Sequence, residues 1–533
     1  MRQRHHVTPR RAAQMLCAAT AFALAASCGR STDERRAEPA PATRFVALSP
    51  FTVSAGERVL AAEEGLLFVP ENRAKPGSRT IGVHFIRIPG SRKSGSPIFY
   101  LPGGPGSFVT RANIAGANTL REIDFLRASG RDIVFVNQRG NPAAPLTPNM
   151  VWPFPPVPLA EAVTQQSEGA ALRAAVEKGQ AEWTARGVDL TGYDIFNIAD
   201  DVEDLRRALG YDRIILRAGS FGSQWSFAFL KRHASSVDRL LLRGIEPLDY
   251  GYDSPKGLWN AVERLAAESD ADARLKGLIP QGGLLQAVKT VLDRLEKQPQ
   301  TVTITNPADG KPVAVTVGKY DLQRVLKYPT QQAYRDNLQK WPRFILELYK
   351  GDYRYLAATA LDARSGREDR PMIGLLIDNS LGISAEREAQ LASETEQQWI
   401  GPVEPAYFAT RDLTVTSRVP ADFLADAPIT PPAVFFQGDM DLSTPLENAR
   451  HQAQLLGRGR LVVVHRGTHS VDAELEALLP DLTAALQRFL AADSDAEIDD
   501  AIKALPAEAA LPPLAFETLD GPSLYERWLK RAR

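Results

Sequence analysis

Ala218-Gly219-Ser220-Phe221-Gly222 sets one serine among small residues, after the apolar run Ile214–Leu216 and before a helix-forming run over 223–232. A strand, a sharp turn and a helix in that order present a serine hydroxyl at the strand's carboxyl end, beside the first amides of the helix. Those amides and the helix dipole favour negative charge. That suits acyl transfer, in which a carbonyl oxygen becomes an oxyanion. Small neighbours let strand and helix crowd together. The pentapeptide alone equally fits a Gly/Ser-rich loop with no chemistry.

A nucleophilic serine needs a base. The chain has seven histidines: His5, His6, His84, His233, His451, His465 and His469. The first two lie in a segment with an export pattern. His84 sits in a strand-like run, His233 and His451 in helix-like stretches, and His465 ends the strand-like run Leu461–Val464. His469 alone lies in a loop after a late strand, Arg466–Ser470, from which a ring can swing over a sheet edge. It is the candidate base, and the other four of the mature chain read as structural. The acid that would orient it follows the buried-strand run Val434–Gln437 and the turn at Gly438. Asp441 is preferred, Asp439 is the alternative, and a pair of aspartates that only shape the turn is the bland reading. The order Ser220, Asp441, His469 is that expected of an α/β-hydrolase.

With those residues in place a family resemblance emerges. Tyr100-Leu-Pro-Gly-Gly-Pro-Gly106 resembles the His-Gly-Gly-Pro-Gly segment of proline iminopeptidases and tripeptidyl aminopeptidases. Val136-Asn-Gln-Arg-Gly140 resembles their Asp-Gln-Arg-Gly segment. The helix-like run Asp200–Gly210, the serine turn, Gly438–Pro445 and Gly467–His469 are similar to theirs as well, in the same order. The matches fall over about residues 60–250 and 430–490. Three positions depart from the pattern: Pro102 for the usual His, Asn137 for Asp, and Ala218 for the first Gly. None removes a triad member. Asn137 puts in doubt a salt bridge that would order its loop. The resemblance implies an α/β-hydrolase fold and hydrolysis of amide bonds near a free amino terminus.

The oxyanion donors expected are the amide of Phe221, next to the nucleophile, and that of Gly104, in the glycine-rich loop after an early strand. An aminopeptidase must also hold an ammonium. Glu246, just past the strand ending at Ile245, and Asp378, after the apolar run Leu375–Ile377, are the candidate anchors. Each reads equally well as a solvated or helix-capping acid.

The rest of the chain bounds these readings. At 533 residues it is too long for one compact core and suits two domains or one domain with a large insertion. A formal net charge of −1 and the lack of a basic stripe interleaved with aromatics exclude a nucleic-acid binder. Residues 1–27 read as a signal peptide: four arginines and no acid up to Arg11, then an alanine-rich apolar run too short to span a bilayer. Ala25-Ala-Ser-Cys28 resembles a bacterial lipoprotein cleavage site, making Cys28 the lipidated first residue; ordinary cleavage is the alternative. Cys17 would be discarded with the signal, leaving no cysteine for a disulfide or a zinc site. No cofactor and no metal is expected.

The organisation expected is a tether over 28–44, a core over 45–248, a mainly helical cap over 249–427, a second core segment over 428–495 and an extension over 496–533. Helical periodicity marks 257–267, 284–296 and 331–349, and a hairpin joins 301–305 to 312–317. A cap over the serine would favour small substrates or chain ends. The function expected is an envelope aminopeptidase taking short peptides. A carboxylesterase of the same fold is the second reading, and a non-catalytic binding protein the third.

Overall fold

The computed structural model describes residues 46–532, except 56–57, 93, 141–149, 153–156, 332–334, 365–369, 402–404 and 414. The expected signal peptide, the lipidation site Cys28 and the tether lie outside the described residues. In chain order the strands begin with β1 (Val46–Ala55), β2 (Arg58–Pro70), β3 (Thr80–Ile88), β4 (Ile98–Leu101), β5 (Ile133–Val136) and β6 (Val151–Trp152). They continue with β7 (Ile214–Gly219), β8 (Val237–Arg243), β9 (Gln300–Thr305), β10 (Pro312–Val317), β11 (Arg370–Pro371), β12 (Ala433–Gly438), β13 (Gly459–His465) and β14 (Glu508–Ala510).

Ten of these form one sheet in the order β1-β2-β3-β5-β4-β7-β8-β12-β13-β14. The first three and β5 pair antiparallel; from β5 onward all neighbours are parallel. Parallel strands with both faces covered carry apolar residues at consecutive positions. Accordingly Ile214–Leu216, Leu240–Leu242, Val434–Phe436 and Val462–Val464 are all buried. Successive side chains point to opposite faces, so each run feeds two cores. Leu240, Leu242 and Phe435 join one apolar cluster, and Leu241, Val434 and Phe436 the other. This is the α/β-hydrolase architecture: every strand that delivers a candidate catalytic loop lies in the parallel part of the sheet, inside its edges.

A third cluster lies off the sheet. It collects the helices Pro255–Ala271, Gly283–Lys297, Lys319–Gln331, Arg335–Tyr349 and Arg354–Arg364 together with β9 and β10. Ser254 caps the first of these, its hydroxyl accepting from Gly257 N at 3.0 Å, with Pro255 at the first helical position. The expected hairpin pairs Pro312 with Thr305 through Val317 with Gln300.

The stretch 249–427 does not pack as one body. The helix Met372–Leu381 is apolar on nearly every side and sends Met372, Ile373, Leu375, Leu376 and Ile377 into the core over the sheet. It rests on the glycine-rich loop, where a methyl on Gly374 would come within 3.0 Å of the Pro105 carbonyl oxygen. The last residues are integral too. β14 extends the sheet beyond β13, and Leu514, Phe516, Leu524 and Tyr525 complete the third cluster.

Candidate active site

The serine turn is built by close approach. A methyl on Gly222 would lie 2.2 Å from the Leu101 carbonyl oxygen, and one on Gly219 2.9 Å from Arg243 Cγ. Any larger residue would drive the helix Phe221–His233 off the sheet. Ser220 itself stands at φ 58°, ψ −139°, a conformation costly for a residue with a Cβ. It is held there from both sides. Its amide donates to Gly244 O at 2.9 Å and Arg243 O at 3.2 Å, and its carbonyl oxygen accepts from Ser223 N and Ser223 Oγ, each at 2.7 Å. Phe221 opens the 13-residue helix, so its amide is among those with no partner within the helix.

β12 and β13 deliver the base and its acid. Asp441 is buried, and its Oδ2 lies 2.9 Å from His469 Nδ1. The same oxygen accepts from Gln437 Nε2 at 2.9 Å and Thr444 Oγ1 at 2.8 Å, while Oδ1 accepts from the amides of Ser443 and Thr444. Burial pushes the Asp441 carboxyl up, but His469 and those donors outweigh it and hold the group below its ordinary value. Asp439 is engaged elsewhere, 2.9 Å from His465 Nδ1 and accepting from Arg466 N at 2.7 Å. The geometry thus separates the two aspartates that the sequence left open. With Nδ1 turned to Asp441, Nε2 is the nitrogen left for proton transfer.

Ser220 and His469 converge on Gly244. A methyl there would lie 3.1 Å from both Ser220 N and His469 Cε1, and 3.2 Å from Thr444 Oγ1. Gly244 has φ 52°, so glycine is required twice over, by conformation and by space. Arg466, at φ 63°, is the other non-glycine residue with positive φ among those described, and it begins the loop that carries His469.

The glycine-rich loop closes the site from β4. A methyl on Gly103 would lie 3.2 Å from Ser220 Cβ and 3.7 Å from its Oγ. Gly104, the expected donor, follows at φ 114°. The segment Asn137–Arg139 explains how this loop is held; the sequence marked the segment and a doubtful salt bridge at Asn137, but not the hydrogen bonds that do the holding. Gln138 Oε1 accepts from Gly106 N at 2.8 Å, and Asn137 both accepts from Val109 N and donates to Val109 O. Asn137 Nδ2 also lies 2.6 Å from His84 Nδ1, whose other ring nitrogen is 2.9 Å from Glu64 Oε1. Burial keeps the His84 pKa down. A neutral ring accepting at Nδ1 suits an amide partner, so hydrogen bonds order the loop where a salt bridge was in doubt. Arg139 is fully buried and grips both oxygens of Asp201, in the helix Ile195–Ala208, at 2.7 and 2.8 Å.

Residues 96–471 match the family model described as the alpha/beta hydrolase fold. The chain belongs to that family. No curated protein sequence matches it. Solved structures similar to this α/β-hydrolase include a serine hydrolase from the polyaromatic-hydrocarbon-degrading bacterium Cycloclasticus zankles, 12% identical, covering 83% of this chain and 98% of that one, with a TM-score of 0.33. An esterase from Exiguobacterium antarcticum is 12% identical over 80% of this chain and 99% of its own, TM-score 0.33. A laboratory-evolved variant of a potato epoxide hydrolase is 13% identical over 83% and 99%, TM-score 0.34.

Within this α/β-hydrolase the two candidate ammonium anchors sit on different elements. Glu246 is half-buried on the loop that continues from Gly244, its amide donating to Ser223 Oγ at 2.9 Å. Asp378 is half-buried on the helix that rests on the glycine-rich loop.

Proposed function

We propose that this α/β-hydrolase is a serine hydrolase that cleaves amide bonds near the free amino terminus of short peptides. The observation that carries the hydrolytic reading is the convergence of a strained Ser220 and an Asp441-bound His469 on Gly244. Ser220 Oγ attacks the scissile carbonyl while His469 Nε2 takes its proton. Asp441 fixes the ring and stabilises the imidazolium. The amides of Phe221 and Gly104 hold the oxyanion. His469 then protonates the leaving amine, and water releases the acyl-enzyme. The aminopeptidase part of the reading rests on the sequence motifs shared with proline iminopeptidases and tripeptidyl aminopeptidases. Glu246 and Asp378 are the acids it offers for the substrate ammonium. Export and lipid attachment at Cys28 extend the reading, on the pattern of residues 1–28.

The test is hydrolysis of matched aminoacyl and peptidyl anilides with free and acetylated amino termini, beside a short aryl ester, with S220A as control. Serine-dependent cleavage confined to the free amines supports an aminopeptidase. E246Q and D378N then identify the anchor as the variant whose KM rises for free amines. Ester cleavage without anilide cleavage sinks the peptidase reading and leaves a carboxylesterase.

A further inference from the structure

We propose that Arg243, the last residue of β8, is a positioning residue that locks the histidine loop to the nucleophile strand; this rests on the serine-hydrolase reading above. Its backbone and side chain touch both halves of the site. The carbonyl oxygen accepts from Ser220 N at 3.2 Å. The guanidinium donates through Nη1 to the His469 carbonyl oxygen at 2.9 Å and through Nε to Asp472 Oδ2 at 2.6 Å. Its stem and head lie against Gly219, so closely that a methyl there would be 2.9 Å from both Cγ and Cζ. Ser220 and His469 come from different strands, and Asp441 acts on the His469 ring rather than on the backbone that carries it. Arg243 sets where the backbone of His469 stands relative to Ser220.

The residue sits in a closed set of charges. Arg217, buried on β7, bonds both oxygens of Glu122 at 2.8 and 3.0 Å and lies 3.4 Å from Asp472 Oδ2. Tyr100 on β4 lies within electrostatic reach of the Arg243 guanidinium. The groups acting on His469 are therefore Asp441 and Thr444 from the turn after β12, Arg243 from β8 and Asp472 after its own loop. A guanidinium can satisfy a carbonyl and a carboxylate at once in fixed geometry, which a lysine ammonium cannot copy. Beside this cluster lies a cavity of about 160 Å³ lined by Tyr100, Glu122, Arg217, Arg243, Ser470 and Asp472. It gives small cations a route to the space a truncated Arg243 would leave.

The experiment compares wild type, R243A, R243K and D472N. Active sites are titrated with a fluorophosphonate, and kcat, KM and melting temperature are measured from pH 5 to 9. R243A is expected to lose about 100-fold in kcat per titrated site with KM within threefold, as a misplaced base should. Millimolar guanidinium ion is expected to restore at least tenfold of that loss, and R243K less than R243A with guanidinium. The acid limb of kcat should move to higher pH in R243A, which leaves Asp472 less compensated, and to lower pH in D472N, which leaves Arg243 unpaired. A purely structural role would lower the melting temperature while kcat per titrated site, the pH limbs and the guanidinium response stay unchanged, and that result overturns the proposal. If R243A does not fold, R243K and D472N decide: a loss of kcat per titrated site in R243K, whose ammonium cannot copy the guanidinium's geometry, together with an acid limb moved to lower pH in D472N, supports the clasp, and wild-type values of both overturn it. Wild-type protein that fails to label at Ser220 overturns the hydrolase reading itself, and this inference with it.

Discussion

At the scale of single residues, two aspartates two positions apart serve two different histidines, and the two pairs contribute to stability over opposite ranges of pH. Asp439 and, secondarily, Glu508 raise the His465 pKa, so that pair stabilises the fold fully below the imidazole's unfolded value and less as pH rises through the raised one. Asp441 is held below its ordinary value, so its contribution is present above that value and is lost as pH falls through the lowered one. D439N is therefore expected to lower the urea midpoint at pH 5 and hardly at all at pH 9, with kcat within about threefold of wild type. D441N should cut kcat by about 10⁴, the effect of losing the carboxylate that sets a catalytic imidazole's tautomer. Equal losses of kcat in the two variants would refute this division. Ser220 offers a second residue-scale test. Its φ of 58° stores about 1–3 kcal/mol of strain, which glycine relieves and alanine does not. S220G should gain about 1 kcal/mol over S220A, after allowing for glycine's extra unfolded-state freedom, while both are inactive. A lower midpoint for S220G would show that the turn is unstrained.

At the scale of elements, the site depends on backbone touching backbone at the carboxyl ends of β4, β7, β8 and β12. A methyl on Gly438 would lie 2.3 Å from Gly467 O and 2.4 Å from Gly467 C, so the turn after β12 and the histidine loop can pass only as bare backbone. G438A is expected to cost about 1–3 kcal/mol of stability and to lower kcat more than it raises KM, because the loop that yields is the one carrying His469. Gly277, with nothing within 4 Å of an added Cβ, is the control, and G277A should change neither. Wild-type kcat in G438A would refute the coupling. The difference between what the sequence disclosed and what it hid follows from range. The serine turn, the apolar runs of the parallel strands and the loop position of His469 are local patterns, and each could be read directly. The clasp of Arg243 on His469 joins residues 226 apart in sequence, and the Gln138 bond to Gly106 joins residues 32 apart. No local period encodes either, although the Asn-Gln-Arg-Gly segment did mark where the second is made.

At the scale of the whole molecule, the stretch between β8 and β12 and the chain's last residues do not behave as appendages. Sequence periodicity located the helices but could not say which apolar face meets which layer. Hence Met372–Leu381, read as part of a cap, belongs to the core over the sheet, and the extension beyond 495 supplies both an edge strand and a wall. That wall bears on the site through one shared cluster: Phe516 and Leu514 join the helical layer, and so do Met440 and Leu442, which bracket Asp441. The edge strand bears on it too, since Leu511 N donates to His465 O and Leu511 O accepts from Arg466 Nη1, each at 3.1 Å. F516A removes a ring buried to 3% exposure and should cost about 3–5 kcal/mol. Its kcat per titrated site should survive at low temperature and fall with the unfolding transition, because the ring belongs to an apolar cluster that includes Met440 and Leu442 but no triad residue. Removing residues 506–533 should go further. It strips β13 of its outer neighbour and the start of the histidine loop, at His465 and Arg466, of two hydrogen bonds, so loss of fluorophosphonate labelling is expected even where circular dichroism still reports the sheet. A truncated chain that labels at the wild-type rate and melts at the wild-type temperature would show the tail to be dispensable, and would confine the determinants of the site to the ends of the central strands.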